Sequence, residues 1–320
     1  MNIVITGSIA YDYLMTFPGH FKDHILPDRL ESLSLSFLVE SLSRQRGGIA
    51  PNIAYTMALL GERPKVMATV GQDFEEYRAW LEAKGVDTSL IKTIPGDFTA
   101  SFFASTDRAN SQIASFYPGA MSRAGELRFA DLPARPDLAV ISPNDPAAMV
   151  AYVRECHALG IPYLYDPSQQ VVRVDGNLLA DGIADCKILV VNEYEFGIIE
   201  KKTKLNLADV LAQVEVLVIT RGESGATLYT NSEEVNVPVV PAGRIADPTG
   251  VGDAFRGGLL TGVSRGWDWE LCGEMGALAA TYCLEHVGTQ NHTYTTAEFV
   301  ARFRQHFDDR GRLDALANGG

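Results

Sequence analysis

Residues 247–253, Asp-Pro-Thr-Gly-Val-Gly-Asp, place two carboxylates and two glycines within seven positions, between a strand-like and a helix-like run. Glycines let backbone N–H groups approach a ligand closely, and a helix N-terminus adds partial positive charge, so a helix opening near Gly250 or Gly252 behind a Thr249 cap reads as an anion hole. No Lys-Ser or Lys-Thr follows the glycines, which excludes a Walker A loop, and Phe255 occupies the third glycine position of a dinucleotide fingerprint. A carboxylate repels phosphate. Asp253 therefore either performs chemistry at this helix mouth or only complements the helix dipole.

Four other stretches carry residue types suited to a ligand. In RGGIAPNIAYTMALLG (46–61), Gly47 and Gly48 precede a helical pattern and Asn52 lies in its first turns. Asparagine is a poor helix-interior residue unless its amide finds a partner, although a glycine turn with a solvated Asn52 fits equally. Arg46, just before the glycines, could bring positive charge to a phosphate. In GSIAYD (7–12), Asp12 follows the first strand pattern, where ligands of open α/β sheets bind. Its carboxylate suits a sugar diol, and a surface aspartate is the plainer alternative. In VVNEYEF (190–196), Asn192 and Glu195 are hard-oxygen types that suit magnesium, directly or through water, and also fit a helix capping box. In VITRGESGATLY (218–229), Thr220 and Gly222 end a strand and open a loop that could meet a nucleotide.

These stretches need a scaffold, and the apolar patterning supplies one. Nearly continuous apolar runs at 2–7, 65–71, 138–142, 162–166, 187–192 and 216–220 read as strands buried on both faces. Helical patterns at 49–61, 73–85 and 145–160 fall between them, and three more, from about Gly252, Asp268 and Thr295, close the chain. That alternation predicts a mostly parallel sheet with helices on both faces. Segments 30–39, 98–106 and 111–117 alternate instead, which predicts a small second sheet with a wetter face, acting as a lid or as an edge extension of the main sheet.

Composition narrows the function classes. The chain has 320 residues, 46% hydrophobic and 21% charged, with a net charge of −13. That balance gives no general attraction for nucleic acid or anionic membranes. Cys156, Cys186, Cys272 and Cys283 form no C-x-x-C pair and no zinc spacing, so they read as buried free thiols of a reducing compartment. Asp12 interrupts the first apolar run, which argues against a signal peptide, and no apolar run approaches the ~20 residues that span a bilayer. The expected location is the cytoplasm.

Taken in order, Gly-Gly…Asn, Asn-x-x-Glu, Thr-x-Gly and Asp-x-Thr-Gly-x-Gly-Asp resemble the ribokinase (PfkB) family of sugar and nucleoside kinases across nearly the whole chain. TGSIAYDYLMTFPGHF, SLSFLV, QIASFYPGAMS, DPSQQ and DPTGVGDAFRGG are similar to the bacterial adenosine kinases of the mycobacterial type within it. The resemblance implies a single ribokinase-like α/β domain over 1–320, with lid inserts at about 12–46 and 97–120. It implies transfer of the ATP γ-phosphate to the 5′-hydroxyl of adenosine, with magnesium. Asp253 would be the base, and the amides of Gly250, Val251, Gly252 and Asp253 the anion hole. Ser8, Asp12, Gly47, Gly48 and Asn52 would hold the ribose. Phe102 and Phe116 would sandwich the purine, beside Gln169 and Gln170. Asn192 and Glu195 would organise magnesium and phosphate, Thr220 and Gly222 would contact ATP, and Asp247 and Thr249 would bind a monovalent cation, commonly potassium. The lid sheet would serve as a homodimer surface. Two other readings remain: another kinase of the family, for ribose, fructose or a different nucleoside, and a nucleoside sensor without turnover.

Overall fold

A computed structural model describes residues 1–25 and 34–317. The strands are β1 (Ile3–Thr6), β2 (Ala10–Thr16), β3 (Ser41–Gly47), β4 (Lys65–Val70), β5 (Ile91–Thr93), β6 (Ala100–Thr106), β7 (Gln112–Tyr117), β8 (Leu138–Ile141), β9 (Tyr163–Tyr165), β10 (Ile188–Asn192), β11 (Val216–Thr220), β12 (Ala226–Thr230) and β13 (Glu234–Val237). The helices are α1 (Ile49–Leu59), α2 (Glu75–Ala83), α3 (Pro146–Leu159), α4 (Gly176–Ile183), α5 (Glu193–Thr203), α6 (Leu207–Leu211), α7 (Val251–Ser264), α8 (Trp269–Leu284), α9 (Thr296–Phe303) and α10 (Asp314–Ala317).

The main sheet runs β13-β12-β11-β10-β9-β8-β1-β4-β5, and its pairs are parallel from β11 through to β5. Its apolar runs bury both faces because the side-chain period is two. Ile3, Ile5, Ile188, Val190, Val216 and Val218 pack with α1 and α7 residues such as Ile53 and Leu259. Their neighbours Val4, Leu189, Val191, Leu217 and Ile219 pack on the opposite side with α3 and α4 residues such as Tyr152 and Leu179. The predicted α/β architecture, a large mostly parallel sheet with a small separate one, is the one found.

The second sheet runs β3-β2-β6-β7. Its composition differs from expectation in one strand. The alternating segment 30–39 forms no strand over 34–39, and 30–33 lies outside the described residues. Its place is taken by β2 and β3, which lead into and out of that segment. The strand Ser41–Gly47 has little apolar character of its own. Its seven register partners on β2, together with Arg44 paired to Glu76 and lying 4.8 Å over the Tyr11 ring, hold it in place. Alternation at 34–39 misled because a wet face marks a strand only where a partner exists.

Register puts the lid candidates on one face. Asp12 pairs with Phe102, and Phe102 pairs with Phe116, so all three point the same way. The two phenylalanines stand side by side across adjacent strands. Within one chain they present a single platform rather than the two jaws of a sandwich.

Candidate active site

Five neighbouring strands end at one edge. Ser8 follows β1, residues 142–144 follow β8, Asp166 follows β9, Asn192 ends β10 and Thr220 ends β11. The chain leaves β1 for β4 on one side, while β8 lies on the other, so the crevice sits at the topological switch where α/β sheets bind ligands. Asn192 and Thr220 are direct register partners.

The glycine-rich stretch opens α7 onto this crevice. The cap is Gly250, in the left-handed region at φ 78°, and Thr249 does not cap the helix as expected. Instead the Thr249 amide donates to Asp247 Oδ1 at 2.9 Å, and the Gly288 amide donates to Asp247 Oδ2 at 3.0 Å. Burial opposes the charge on Asp247, yet these amides hold its carboxyl below the usual range. The Val251 amide turns back on the Pro248 oxygen at 3.4 Å, which makes it the least available of the four anion-hole amides. Gly252 and Asp253 lie in the first turn, where helix amides lack an intrahelical partner.

Asp253 is joined to α1. Asn52 Nδ2 donates to Asp253 Oδ2 at 2.8 Å, and Asn52 Oδ1 accepts from Gln290 Nε2 at 2.8 Å. Trp80 Nε1 donates to Gln290 Oε1 at 3.2 Å, and Gln290 Nε2 also reaches the Tyr77 hydroxyl, which donates to the Gly47 oxygen at 3.0 Å. Asn52 is therefore a buried, partnered asparagine rather than a solvated one. Burial pushes the Asp253 carboxyl up to about 7, against the pull of Arg256 and the Asn52 hydrogen bond, with Asp166 adding to the rise. A carboxyl tuned near neutrality suits a proton acceptor at physiological pH.

The glycine pair brings α1 against the first strand. Gly48 has φ 98°, and a Cβ there would meet the Ser8 oxygen at 2.5 Å. The Ser8 hydroxyl accepts from the Ile49 amide at 3.3 Å, which leaves its own proton for a ligand. Asp12 lies against Gly47, where a Cβ would come within 2.6 Å of Oδ2. Burial, then Asp247 across the crevice, raises the Asp12 carboxyl to about 6.

Other candidates divide. Asn192 and Glu195 form the capping box of α5, with both bonds at 2.8 Å. The box engages Glu195 Oε2, and burial raises that carboxyl, with Asp166 contributing. Gln170 is buried and donates to the Asn144 oxygen at 2.9 Å, whereas Gln169 is exposed, so the two do not act as a pair. Gly222 opens a short 3₁₀ turn at φ 54° just after Thr220. Phe116 is 47% exposed and Phe102 partly buried. Arg46 lies 4.6 Å over the Trp80 ring and 3.6 Å from Glu76, so it braces the lid base and is not a free phosphate ligand.

Three residues at the site escaped the sequence reading. Arg256 and Asp166 form a buried ion pair at 2.6 Å, and Gln290 orients Asn52. Asp166 stood inside the quoted DPSQQ and Arg256 three residues beyond Asp253, a helical spacing that places both side chains on one face. Gln290 gave no signal, since its partner lies 238 residues away.

A model of the pfkB family of carbohydrate kinases matches residues 5–296. The chain belongs to that family. Its relatives within the family include nucleoside kinases. The Methanocaldococcus jannaschii nucleoside kinase is 26% identical over 307 residues, covering 95% of this chain and 97% of that protein. Its crystal structure superposes with a TM-score of 0.86. The Burkholderia thailandensis nucleoside kinase, solved in complex with inosine, is 37% identical, with a TM-score of 0.84 over 95% of this chain and 98% of that one. The Thermotoga maritima ribokinase, 19% identical with a TM-score of 0.79, shares the pfkB fold. All four cysteines of this family member are free and buried, and among the described residues no helix is long and apolar enough to cross a membrane.

Proposed function

We propose that the chain is an ATP-dependent nucleoside kinase that transfers the γ-phosphate of ATP to the 5′-hydroxyl of adenosine, giving AMP and ADP. The observation that carries this reading is Asp253, a largely buried carboxylate raised toward neutrality, fixed by Asn52 at the mouth of α7. Its membership of the pfkB family and the nucleoside kinases among its relatives support the same class. Phosphoryl transfer depends mainly on positioning and charge stabilisation, and both are present here. The amides of Gly252 and Asp253, with Gly250, face the γ-phosphate; Thr220 and Gly222 face the nucleotide. Asp253 takes the 5′-hydroxyl proton as the phosphorus–oxygen bond forms and ADP leaves.

Asp12, Ser8, Gly48 and Asn52 surround the ribose in this reading. The Phe102–Phe116 platform stacks the base, since aromatic faces suit a flat heterocycle. Closure of the lid sheet over the nucleoside excludes water. Among the described residues no cluster of three or more His, Cys, Asp or Glu could hold a metal by itself. That fits magnesium, which keeps several waters and binds through one or two carboxylates plus phosphates. Asn192 and Glu195 would hold it and Asp166 lies near, and it would offset phosphate charge beside Asp253. Asp247 and Thr249 are the proposed surroundings of a potassium ion.

A second reading is inosine as the acceptor, because the Burkholderia relative was solved with inosine and with ADP-inosine. ADP release measured with adenosine, inosine, guanosine, ribose and fructose separates the readings. Adenosine is expected to give the highest kcat/KM. Faster turnover of inosine, or of a free sugar, overturns the assignment.

The lid sheet also exposes Leu14 and Phe116 on its Asp12 face and Leu42, Phe103, Ile113 and Tyr117 on the other. Such apolar surface favours association. We propose pairing of two copies through this sheet; a monomeric mass by light scattering at micromolar concentration removes it.

A further inference from the structure

We propose that Arg256 is a positioning residue for phosphoryl transfer: Asp166 and Ser168 clamp its guanidinium so that it fixes the Asp253 carboxylate at the mouth of α7. The inference rests on Asp253 serving as the base.

Arg256 is 7% exposed. Its Nη2 donates to Asp166 Oδ1 at 2.6 Å and to Ser168 Oγ at 2.9 Å. The Ser168 hydroxyl donates to the same Asp166 oxygen at 2.6 Å. Ser168 sits at φ 37°, a backbone region that residues with side chains rarely enter. The clamp thus includes a locally strained residue.

The other end of the guanidinium faces the reacting group. Nη1 lies 3.8 Å from Asp253 Oδ1, and a Cβ on Gly252 would come within 2.9 Å of it. Gly252 leaves room for the arginine beside the helix mouth. Asp253 is therefore held from two sides, with Asn52 on Oδ2 and Arg256 on Oδ1. The distance to Oδ1 exceeds a hydrogen bond, so that oxygen keeps a lone pair for a hydroxyl proton. Arg256 supplies charge without occupying the acceptor site.

Folding gives little reason for this arrangement. Burying an ion pair rarely stabilises a protein relative to apolar packing. Here Asp166 Oδ2 and Arg256 Nε also lack a hydrogen-bond partner among the described residues.

The groups facing Asp253 are Arg256 on its own helix, Asp166 beyond β9 and Cys283 on α8. Burial pushes the Cys283 thiol up to about 12, so it stays neutral. Arg256 and the Asn52 hydrogen bond lower the Asp253 carboxyl, while Asp166 raises it. Loss of the guanidinium charge leaves Asp253 protonated to higher pH.

The test is the pH profile of kcat/KM for adenosine at saturating MgATP, for Arg256→Gln and Arg256→Lys, with Asp253→Asn as a control. Arg256→Gln is expected to move the acidic limb up by about one pH unit. Its rate at pH 7 then falls about fivefold, approaches a tenfold loss below about pH 6, and largely returns by pH 9. Arg256→Lys, which keeps the charge, is expected to stay near the wild-type limb. A loss that is the same at every pH, with the limb unmoved, assigns Arg256 a packing role and overturns the proposal. So does a lysine variant whose limb moves as far as that of the glutamine variant. Should Arg256→Gln not fold, Arg256→Met fills the same buried volume and is read identically. Near-normal turnover by Asp253→Asn would instead sink the base assignment, whatever Arg256 does.

Discussion

Asp253→Asn is expected to lower kcat by about 10²–10⁴-fold, the range a positioned general base contributes. Adenosine binding should persist, because asparagine retains an oxygen to accept from Asn52 Nδ2. The same variant is expected to be more stable at neutral pH. The Asp253 carboxyl sits at about 7 in the folded protein against 3.8 for the free group. The folded state thus binds a proton more readily than the unfolded one between those values, and its stability falls as pH rises through that window. The penalty is absent below about pH 4 and complete above about pH 7, where it amounts to roughly 2 kcal/mol after allowance for local relaxation. Asparagine removes it. Thermal melts should therefore show a higher Tm for the variant at pH 8 and equal values near pH 4. Unchanged kcat contradicts the catalytic role, and an unchanged Tm at pH 8 contradicts the buried charge.

Gly250→Ala is expected to reduce kcat/KM for ATP by about 10²–10³-fold, comparable to losing a preorganised donor to a developing anion. Gly250 caps α7 in a left-handed conformation that costs an L residue about 1 kcal/mol or more. A Cβ there would also meet Thr289 Cγ2 at 2.7 Å and Thr289 Cβ at 2.9 Å. Thr289 cannot yield freely, since it is buried and its hydroxyl donates to the Arg46 oxygen at 3.0 Å. The helix start must shift, and the amides of Gly252 and Asp253 shift with it. Steady-state kinetics with varied ATP read the effect. A near-wild-type kcat/KM would mean that this helix mouth does not hold the transferring phosphate.

Much of this arrangement was legible because local pattern and position agree. Six of the nine main-sheet strands announced themselves as apolar runs, since burial on both faces favours apolar side chains; β5, β12 and β13, toward the sheet edges, carry no such run. The glycines at 250 and 252 marked a backbone that must approach something closely, and Asp253 stood at the helix start they create. The remainder depended on partners far apart in the chain. Asn52 looks like an ordinary weak helix residue until Gln290 and Asp253 are seen on either side of its amide. Arg256 reads as one more helix-face arginine until Asp166, 90 residues earlier, folds against it. The strand Ser41–Gly47 exists because β2 pairs with it, and no apolar period betrays it. Thr249 has the chemistry of a cap, but the chain reverses one residue later, at a glycine, the type that adopts the required φ most readily, and Asp247 takes the Thr249 amide. The capping box at Asn192 and Glu195 is the converse case, in which the plain structural expectation was met and ligand binding stands beside it as a proposal.

ADP release alone does not separate transfer of a phosphoryl group to a nucleoside hydroxyl from hydrolysis of ATP. Phosphorus NMR of the purified chain with MgATP and adenosine makes the distinction directly. ADP and a single new monoester resonance from adenosine 5′-monophosphate are expected in equal amounts, with no comparable inorganic phosphate. Inorganic phosphate as the main product, or binding of both ligands without any new resonance, would rule out transfer to the nucleoside.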